Sequence, residues 1–173
     1  MLFSSTVFLF LFLPLVLLGY YVVLRRWRQV QNIFLLAVSL FFYAWGEPRF
    51  VLIMLASIAA NYGFGLWVGA DRQRGRKGRL PVLANLGLLF VFKYLTFVLT
   101  NLNLLGAQLT VPLIELPIGI SFFTFQALSY VLDVHRGRGG VQVNPLKVGL
   151  YISFFPQLIA GPIVKYETVA DQI

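Results

Sequence analysis

The feature that most constrains this sequence is an apolar run without charged residues, from residue 2 to residue 24. A helix needs about 20 predominantly apolar residues to cross the hydrocarbon core of a bilayer, so this run is long enough. Pro14 lies inside it and predicts a kink. A signal peptide would carry its positive charges before the apolar run, whereas Arg25, Arg26 and Arg28 follow it. We therefore interpret the run as a retained first membrane span.

Five further apolar runs follow, and two of them contain helix-breaking residues. Their bounds are residues 30–45, 50–70, 81–105, 116–132 and 148–164. Proline and glycine within the last two runs are typical of broken or re-entrant membrane helices. The apolar residues are consecutive and do not alternate with polar ones, as they would in a transmembrane barrel. The sequence predicts an all-α, polytopic transmembrane helix bundle with five or six hydrophobic segments, the last two broken or re-entrant.

Composition supports a membrane protein and excludes several kinds of site. Charged residues make up only 12% of 173 residues, against about 25% in a typical soluble domain, and the length allows at most one domain. Cysteine is absent and there is a single histidine. These counts exclude disulfides, a cysteine nucleophile and a metal centre built from thiolates or imidazoles.

The positive charge lies in short clusters between the apolar runs. Nucleic-acid or lipid-headgroup binding is an alternative for the cluster at 72–79, but a topology signal explains the same residues, and we expect no nucleic-acid partner. With the N-terminus outside, the clusters fall in cytoplasmic connections, as the positive-inside rule requires, and Lys165 and the tail after it fall outside. The expected cytoplasmic cations are Arg25, Arg26, Arg28, Arg72, Arg74, Arg76, Lys77, Arg79, Arg136, Arg138 and Lys147.

Lys93 lies near the middle of the fourth apolar run. An ammonium group at this depth costs at least ~2.5–3.5 kcal/mol on insertion scales, so it needs a partner or a polar cavity. Alternatively, the span is short or tilted and the lysine side chain snorkels to the interface. The residue pattern favours the functional and the structural interpretation equally.

The fifth run carries polar side chains on an otherwise apolar segment. Ser121, Thr124 and Gln126 follow Gly119, and they either line a polar path through the bundle or form interhelical hydrogen bonds worth about 0.6 kcal/mol each. Asp133 lies within one turn of Arg136, which predicts an ion pair at the cytoplasmic side.

Two further patterns have simple structural interpretations. Ser121 or Ser129 with Asp133 and His135 has the residue types of a nucleophilic triad, but Asp133 and His135 diverge on a helix and no nucleophile elbow surrounds the serines. Gly65 and Gly69 form a spacing that suits close helix packing, within one chain or between two.

Six motifs, taken together, resemble a known family. They are residues 3–5 (FSS), 42–45 (FYAW), 92–94 (FKY), 116–126 (LPIGISFFTFQ), 129–137 (SYVLDVHRG) and 154–163 (FFPQLIAGPI). Their order and spacing resemble the membrane-bound O-acyltransferase family, in the bacterial branch of alginate O-acetylation and teichoic-acid D-alanylation. The tunnel-lining or motif candidates are Lys93, Ser121, Thr124, Gln126, Tyr130, Asp133, Arg136 and Gln157.

The resemblance implies acyl transfer to a hydroxyl through a membrane tunnel. The donor would be acetyl-CoA or a carrier-protein thioester in the cytoplasm, with no bound cofactor or metal, and the acceptor an extracytoplasmic polysaccharide. The partners would be the lipid bilayer, a carrier protein and an extracytoplasmic acetyltransferase. The implied location is the bacterial cytoplasmic (inner) membrane.

Two departures from the family pattern qualify this expectation. His135 stands where relatives usually have tyrosine, so it does not match the family's catalytic histidine. That catalytic histidine lies in the second half of the sequences of family members, and no residue of this sequence matches it. We therefore expect residues 1–173 to form the N-terminal portion of one acyltransferase domain, inactive alone. A transporter or flippase component and a non-catalytic scaffold are the alternatives.

Overall fold

The structure, a computed structural model, describes residues 5–73, 80–106, 108–112, 114–158, 161, 164–170 and 172. These residues form helices and connecting segments, with no strand among them. We number the helices α1 to α8 in chain order. Their bounds are Phe8–Val23 (α1), Arg28–Gly46 (α2), Val51–Gln73 (α3), Leu80–Leu104 (α4), Ile120–Arg136 (α5), Pro145–Ser153 (α6), Phe155–Leu158 (α7) and Tyr166–Val169 (α8).

Three of these helices, α2, α3 and α4, are long and apolar enough to cross a membrane. Helix α1 is apolar but shorter. Helix α5 has 17 residues, which is at the lower limit for a span. The predicted all-α membrane bundle is confirmed, whereas the predicted number of five or six spanning segments is not.

Helices α1 and α4 are not uniform α-helices. In α1 the turns at Phe8–Phe12 and Gly19–Val23 are π-helical, and so is Phe90–Tyr94 in α4. The first of these turns ends at Phe12, two residues before Pro14, whose nitrogen has no hydrogen to donate to the preceding turn. The proline therefore lies where the helix changes from π to α geometry, and π turns of this kind are frequent at functional sites.

Helix α5 is the central element of the fold, because it packs against α3, α4, α6, α7 and α8. Its crossing with α3 depends on two glycines. A methyl group at Gly65 would overlap the phenol of Tyr130, and one at Gly69 would overlap the side chain of Val141. The glycine spacing seen in the sequence thus serves close packing within this chain.

Both ends of α5 are set by glycines in the left-handed region. Gly119 has φ of 78° at the start, and Gly137 has φ of 73° directly after the last turn. At the C-terminus, the amide of Arg138 donates to the carbonyl of Asp133 (3.0 Å) and that of Gly137 to the carbonyl of Val134 (3.2 Å). This pair of bonds is the Schellman arrangement, which explains why α5 stops here.

The last apolar run folds back on itself. Helix α6 has 9 residues and spans about 14 Å, less than half of the hydrocarbon thickness. The chain then breaks at Phe154, forms the short α7, and returns, so that the hydroxyl of Tyr166 donates to the carbonyl of Gly140 (3.4 Å). The predicted break in this segment is therefore confirmed, whereas its re-entrant position in a membrane stays a prediction.

The same contacts correct the expected position of the tail. Lys165 and the residues after it were expected on the side opposite to the arginine connections. In the structure, the amide of Glu167 donates to Asp133 at the C-terminal end of α5, and Gln172 lines a cavity together with Arg25 and Arg28. The expectation is wrong because α6 and α7 are too short to carry the chain across.

The basic connections meet at one end of the bundle. Arg25 and Arg28 lie near Lys147, and Arg72 lies against Gly137. Three connections that are distant in sequence therefore share a side, as the charge pattern predicted. Four of the expected cytoplasmic cations, which are Arg74, Arg76, Lys77 and Arg79, lie outside the described residues.

Candidate functional site on the central helix

The polar face of α5 is joined to α7 by a pair of glutamines. The side-chain nitrogen of Gln126 donates to the side-chain oxygen of Gln157 over 2.6 Å. Gln126 is 3% exposed, so this bond lies inside the protein. The structure thus brings together two candidates that are 31 positions apart in the sequence.

Three buried side-chain oxygens on the same helix have no hydrogen-bond partner among the described residues. They are the side-chain oxygen of Gln126 and the hydroxyls of Thr124 and Tyr130. The hydroxyl of Tyr43 on α2 is in the same condition, and its ring packs edge-on against Phe123 of α5 at 6.4 Å. A buried polar atom without a partner is costly, so unused capacity here is typical of a site that hydrogen-bonds something else.

Asp133 has a structural role different from the one expected. Its carboxylate accepts from the backbone amide of Glu167 over 3.1 Å and lies 3.5 Å from the hydroxyl of Ser129. The predicted ion pair with Arg136 is wrong, since the salt bridge found in the described part of the chain joins Lys165 and Glu167. Arg136 is exposed on the last turn of α5. Asp133 therefore holds α8 against α5.

Tyr130 lies at the centre of an aromatic cluster between α5 and the returning tail. Its ring is fully buried and packs edge-on against Tyr166 at 4.8 Å, and Tyr166 packs edge-on against Tyr151 at 5.3 Å. Tyr151 in turn donates to the carbonyl of Val164 over 2.7 Å. This cluster fixes the tail beneath the C-terminal half of α5.

The remaining candidates, Lys93 and Ser121, are not joined to this network. Lys93 is exposed on the π-helical turn of α4, with its ammonium group 5.7 Å from the ring of Tyr94. Ser121 is half-buried in the first turn of α5. Whether any of the candidates line a tunnel stays a prediction.

Sequence reasoning missed a second buried amide pair. Asn61 of α3 and Asn85 of α4 exchange two side-chain hydrogen bonds, of 3.1 and 2.7 Å. Each also donates to a carbonyl of its own helix, that of Ser57 or Pro81. The available signal was an asparagine inside each apolar run, Asn61 in the third and Asn85 in the fourth, because polar groups at membrane depth are usually bonded between helices.

The described groups at this face are suited to binding a ligand by hydrogen bonds. Its free groups are amide and hydroxyl oxygens, and its single carboxylate is occupied by α8. Such groups can orient a ligand by hydrogen bonds, but a general base for a hydroxyl acceptor would have to come from another group.

Comparison with known proteins gives relatives along the whole chain. It is 40% identical, over 99% of its length, to a protein of Pseudomonas aeruginosa described as a probable alginate O-acetylase, AlgI, and to its counterpart in Azotobacter vinelandii. It is 34% identical, again over 99% of its length, to the peptidoglycan O-acetyltransferase of Helicobacter pylori.

The chain spans about a third of the length of these relatives, from 34% to 38%. No family model and no solved structure matches it. The names of these relatives nevertheless describe O-acetylating enzymes, which is the kind of protein that the six motifs indicate. The resemblance of this chain to the membrane-bound O-acyltransferase family is therefore confirmed along its whole length.

Proposed function

We propose that this chain is part of a membrane-bound O-acyltransferase that moves an acyl group, specifically acetyl, towards the hydroxyls of an extracytoplasmic polysaccharide. The observation that carries the proposal is the 40% identity to alginate O-acetylases over 99% of the chain. The relatives named for alginate and for peptidoglycan share acetyl as the group and a polysaccharide as the acceptor. We extend these shared features to this chain.

The proposed topology places the N-terminus outside and the basic end of the bundle in the cytoplasm of a bacterial inner membrane. Convergence of the basic connections on one end supports it, since cytoplasmic loops carry the excess of arginine and lysine. The donor, acetyl-CoA or a carrier-protein thioester, would then approach from the basic end. An extracytoplasmic acetyltransferase would be the partner on the opposite side.

The role proposed for this chain is to position the bound acyl donor. The general base would be supplied by another group. The oxygens of Thr124 and Gln126 have no partner among the described residues: the hydroxyl can donate to the carbonyl of a bound acyl group, and the amide oxygen can accept from an N–H of its carrier. The exposed Lys93 side of α4 is suited to packing against further membrane segments, because a lysine at mid-helix is costly against lipid.

A chimera tests the proposal directly. The 173 residues replace the matching segment of the Pseudomonas aeruginosa alginate O-acetylase, in a strain without its own copy, and acetylation of secreted alginate is measured. We expect acetylation to be restored by the chimera and not by the 173-residue chain expressed alone. If a well-expressed chimera fails to acetylate alginate, the proposed acyl transfer is wrong. If the 173-residue chain is active alone, the proposal that the general base is supplied elsewhere is wrong.

Gln157→Ala in the same chimera links the result to the glutamine pair. We expect it to lower acetylation, because Gln126 then loses its bonded partner. Arg49→Gln, at the other end of the bundle, is the matched control and should leave acetylation unchanged.

A further inference from the structure

A cavity of about 890 Å³ opens at the basic end of the bundle. It lies between the connection from α1 to α2 and the beginning of α6, segments that are more than 110 residues apart in the sequence. Its volume is within the range of small-molecule sites, about 300–1,000 Å³. Its charged lining residues are Arg25, Arg28 and Lys147, and Tyr20, Asn32 and Gln172 are among the polar ones.

The charge of this lining has one sign. Arg25, Arg28 and Lys147 contribute three cations, and none of the described lining residues is a carboxylate. The salt bridge in the described part of the chain, Lys165 with Glu167, involves none of them. Three cations around one hollow repel each other, so an anion bound between them would be stabilised.

Backbone groups add to the positive potential. Helices α2 and α6 both begin at this cavity, and α2 has no side-chain cap on its first amides. At α6 no first-turn amide is left for a ligand, because Pro145 has no N–H, Leu146 donates to the side chain of Asn144 and Lys147 donates to its carbonyl. Helix N-termini favour anions, and here the N-terminus of α2 accompanies three cationic side chains.

A second cavity lies next to the basic one. It has a volume of about 200 Å³, shares Tyr20, Asn32 and Gln172 with the basic cavity and is also lined by Gln157. Leu35, Leu150, Phe154 and Val169 make this smaller cavity more apolar. A ligand with an anionic head and a long, less polar arm would match this order of surfaces.

We propose that the basic cavity binds the phosphate group of an organic phosphate ester, with Arg25, Arg28 and Lys147 as its cationic contacts. An esterified phosphate carries one negative charge as a diester and more as a monoester, and it offers several acceptor oxygens, which suits a site with this many donors. The topology rule requires cations on this side of the membrane, but it does not require two distant segments to direct them around one hollow.

Two sources of phosphate have this chemistry, namely a phospholipid headgroup and a soluble ester such as coenzyme A. The binding site stands independently of the proposed acyl transfer. Only the identification of a soluble ester as the acyl donor rests on that function.

Binding to the purified 173-residue chain in a neutral detergent tests the site. The probes are phosphatidylglycerol, followed by native mass spectrometry, and acetyl-CoA, followed by equilibrium titration. The variants are Arg25→Gln, Arg28→Gln and Lys147→Gln, and Arg26→Gln is the matched control, since Arg26 is exposed in the same connection but does not line the cavity. We expect at least about tenfold weaker binding in each of the three variants and an unchanged affinity in the control.

Each outcome decides between the sources or overturns the site. Loss confined to phosphatidylglycerol identifies a lipid headgroup, and loss confined to acetyl-CoA identifies a soluble ester. If neither probe binds, or if Arg26→Gln weakens binding as much as the other variants, the proposal is wrong. Circular dichroism checks the fold of each variant, and Lys147→Arg, which keeps the charge, must retain binding. Because no transfer is measured, a failed acyltransferase assay would leave this result unaffected.

Discussion

At the scale of single residues, the crossing of α3 and α5 is the most restrictive contact. The phenol of Tyr130 occupies the space that a side chain at Gly65 would need, and Tyr130 itself is fully buried. Gly63, two positions earlier on the same helix, has no atom within 4 Å of the position that a Cβ would take. The two glycines therefore differ in packing while sharing one helix.

The first prediction uses this difference. Gly65→Ala should destabilise the chain by about 1–3 kcal/mol, because the added methyl overlaps Tyr130 in a filled interior. Gly63→Ala should be neutral or slightly stabilising, since alanine is the better helix former. The free energy of unfolding is measured in mixed micelles by circular dichroism. Equal stability of the two variants would mean that α3 and α5 do not cross here.

The second prediction concerns the bond between Gln126 and Gln157. A double-mutant cycle with Gln126→Ala and Gln157→Ala should give a coupling of about 0.6–1.7 kcal/mol, the range for interhelical hydrogen bonds in membranes. Ser121→Ala with Gln157→Ala is the control cycle, because no hydrogen bond joins Ser121 to Gln157 in the structure. Additive effects of the two glutamine changes would contradict the bond.

At the scale of elements, the break between α6 and α7 connects three helices. The amide of Phe155 donates to the hydroxyl of Ser39 on α2 over 3.2 Å. Its ring packs against those of Phe8, Phe12 and Phe42, with centroids 6.2, 5.7 and 5.6 Å away. The break is thus stabilised by α1 and α2, which lie far away in the sequence.

The third prediction follows from this cluster. Phe155→Ala should cost about 3–5 kcal/mol, because it leaves a cavity among three other rings. Phe154→Ala should cost clearly less, since Phe154 is only half-buried. Thermal unfolding in detergent, followed by circular dichroism, compares the two variants. A larger loss for Phe154→Ala would show that the wrong phenylalanine has been placed in the cluster.

At the scale of the whole molecule, the short helices α6 and α7 decide on which side of the bundle the residues after Val164 lie. The chain contains no cysteine, so single cysteines can report on each side of the membrane. Gln172 lines the basic cavity with Arg25, whereas Arg49 lies in the connection between α2 and α3 at the opposite end.

The fourth prediction is a labelling pattern. Cysteines introduced at positions 26 and 172 should react with an impermeant maleimide only after the cells are permeabilised, and a cysteine at position 49 should react in intact cells. The reason is that α6 and α7 return the chain to the end of the bundle where α2 begins. If positions 172 and 49 were both labelled in intact cells, the last apolar segment would cross the membrane after all, and the prediction would be wrong.

The sequence alone was sufficient wherever hydropathy or local backbone chemistry decides the outcome. Helices α2, α3 and α4 coincide with the predicted apolar runs to within three residues at each end, because a membrane span is recognised from consecutive apolar residues. The sequence did not predict the partner of Asp133, which was expected to be Arg136, one turn away on the same helix. The carboxylate instead accepts from Glu167, 34 positions later, because the tail returns to α5.

What the sequence by itself determined is the class of the protein, its family resemblance and the gathering of positive charge in a few connections. Only the tertiary structure decided that the tail returns to the C-terminal end of α5, that Gly65 receives Tyr130, and that Arg28 and Lys147 line one cavity. Hydropathy and charge are summed along the chain, so they can be read locally. Cavities and buried amide pairs depend on which distant helices meet, and that is set by packing.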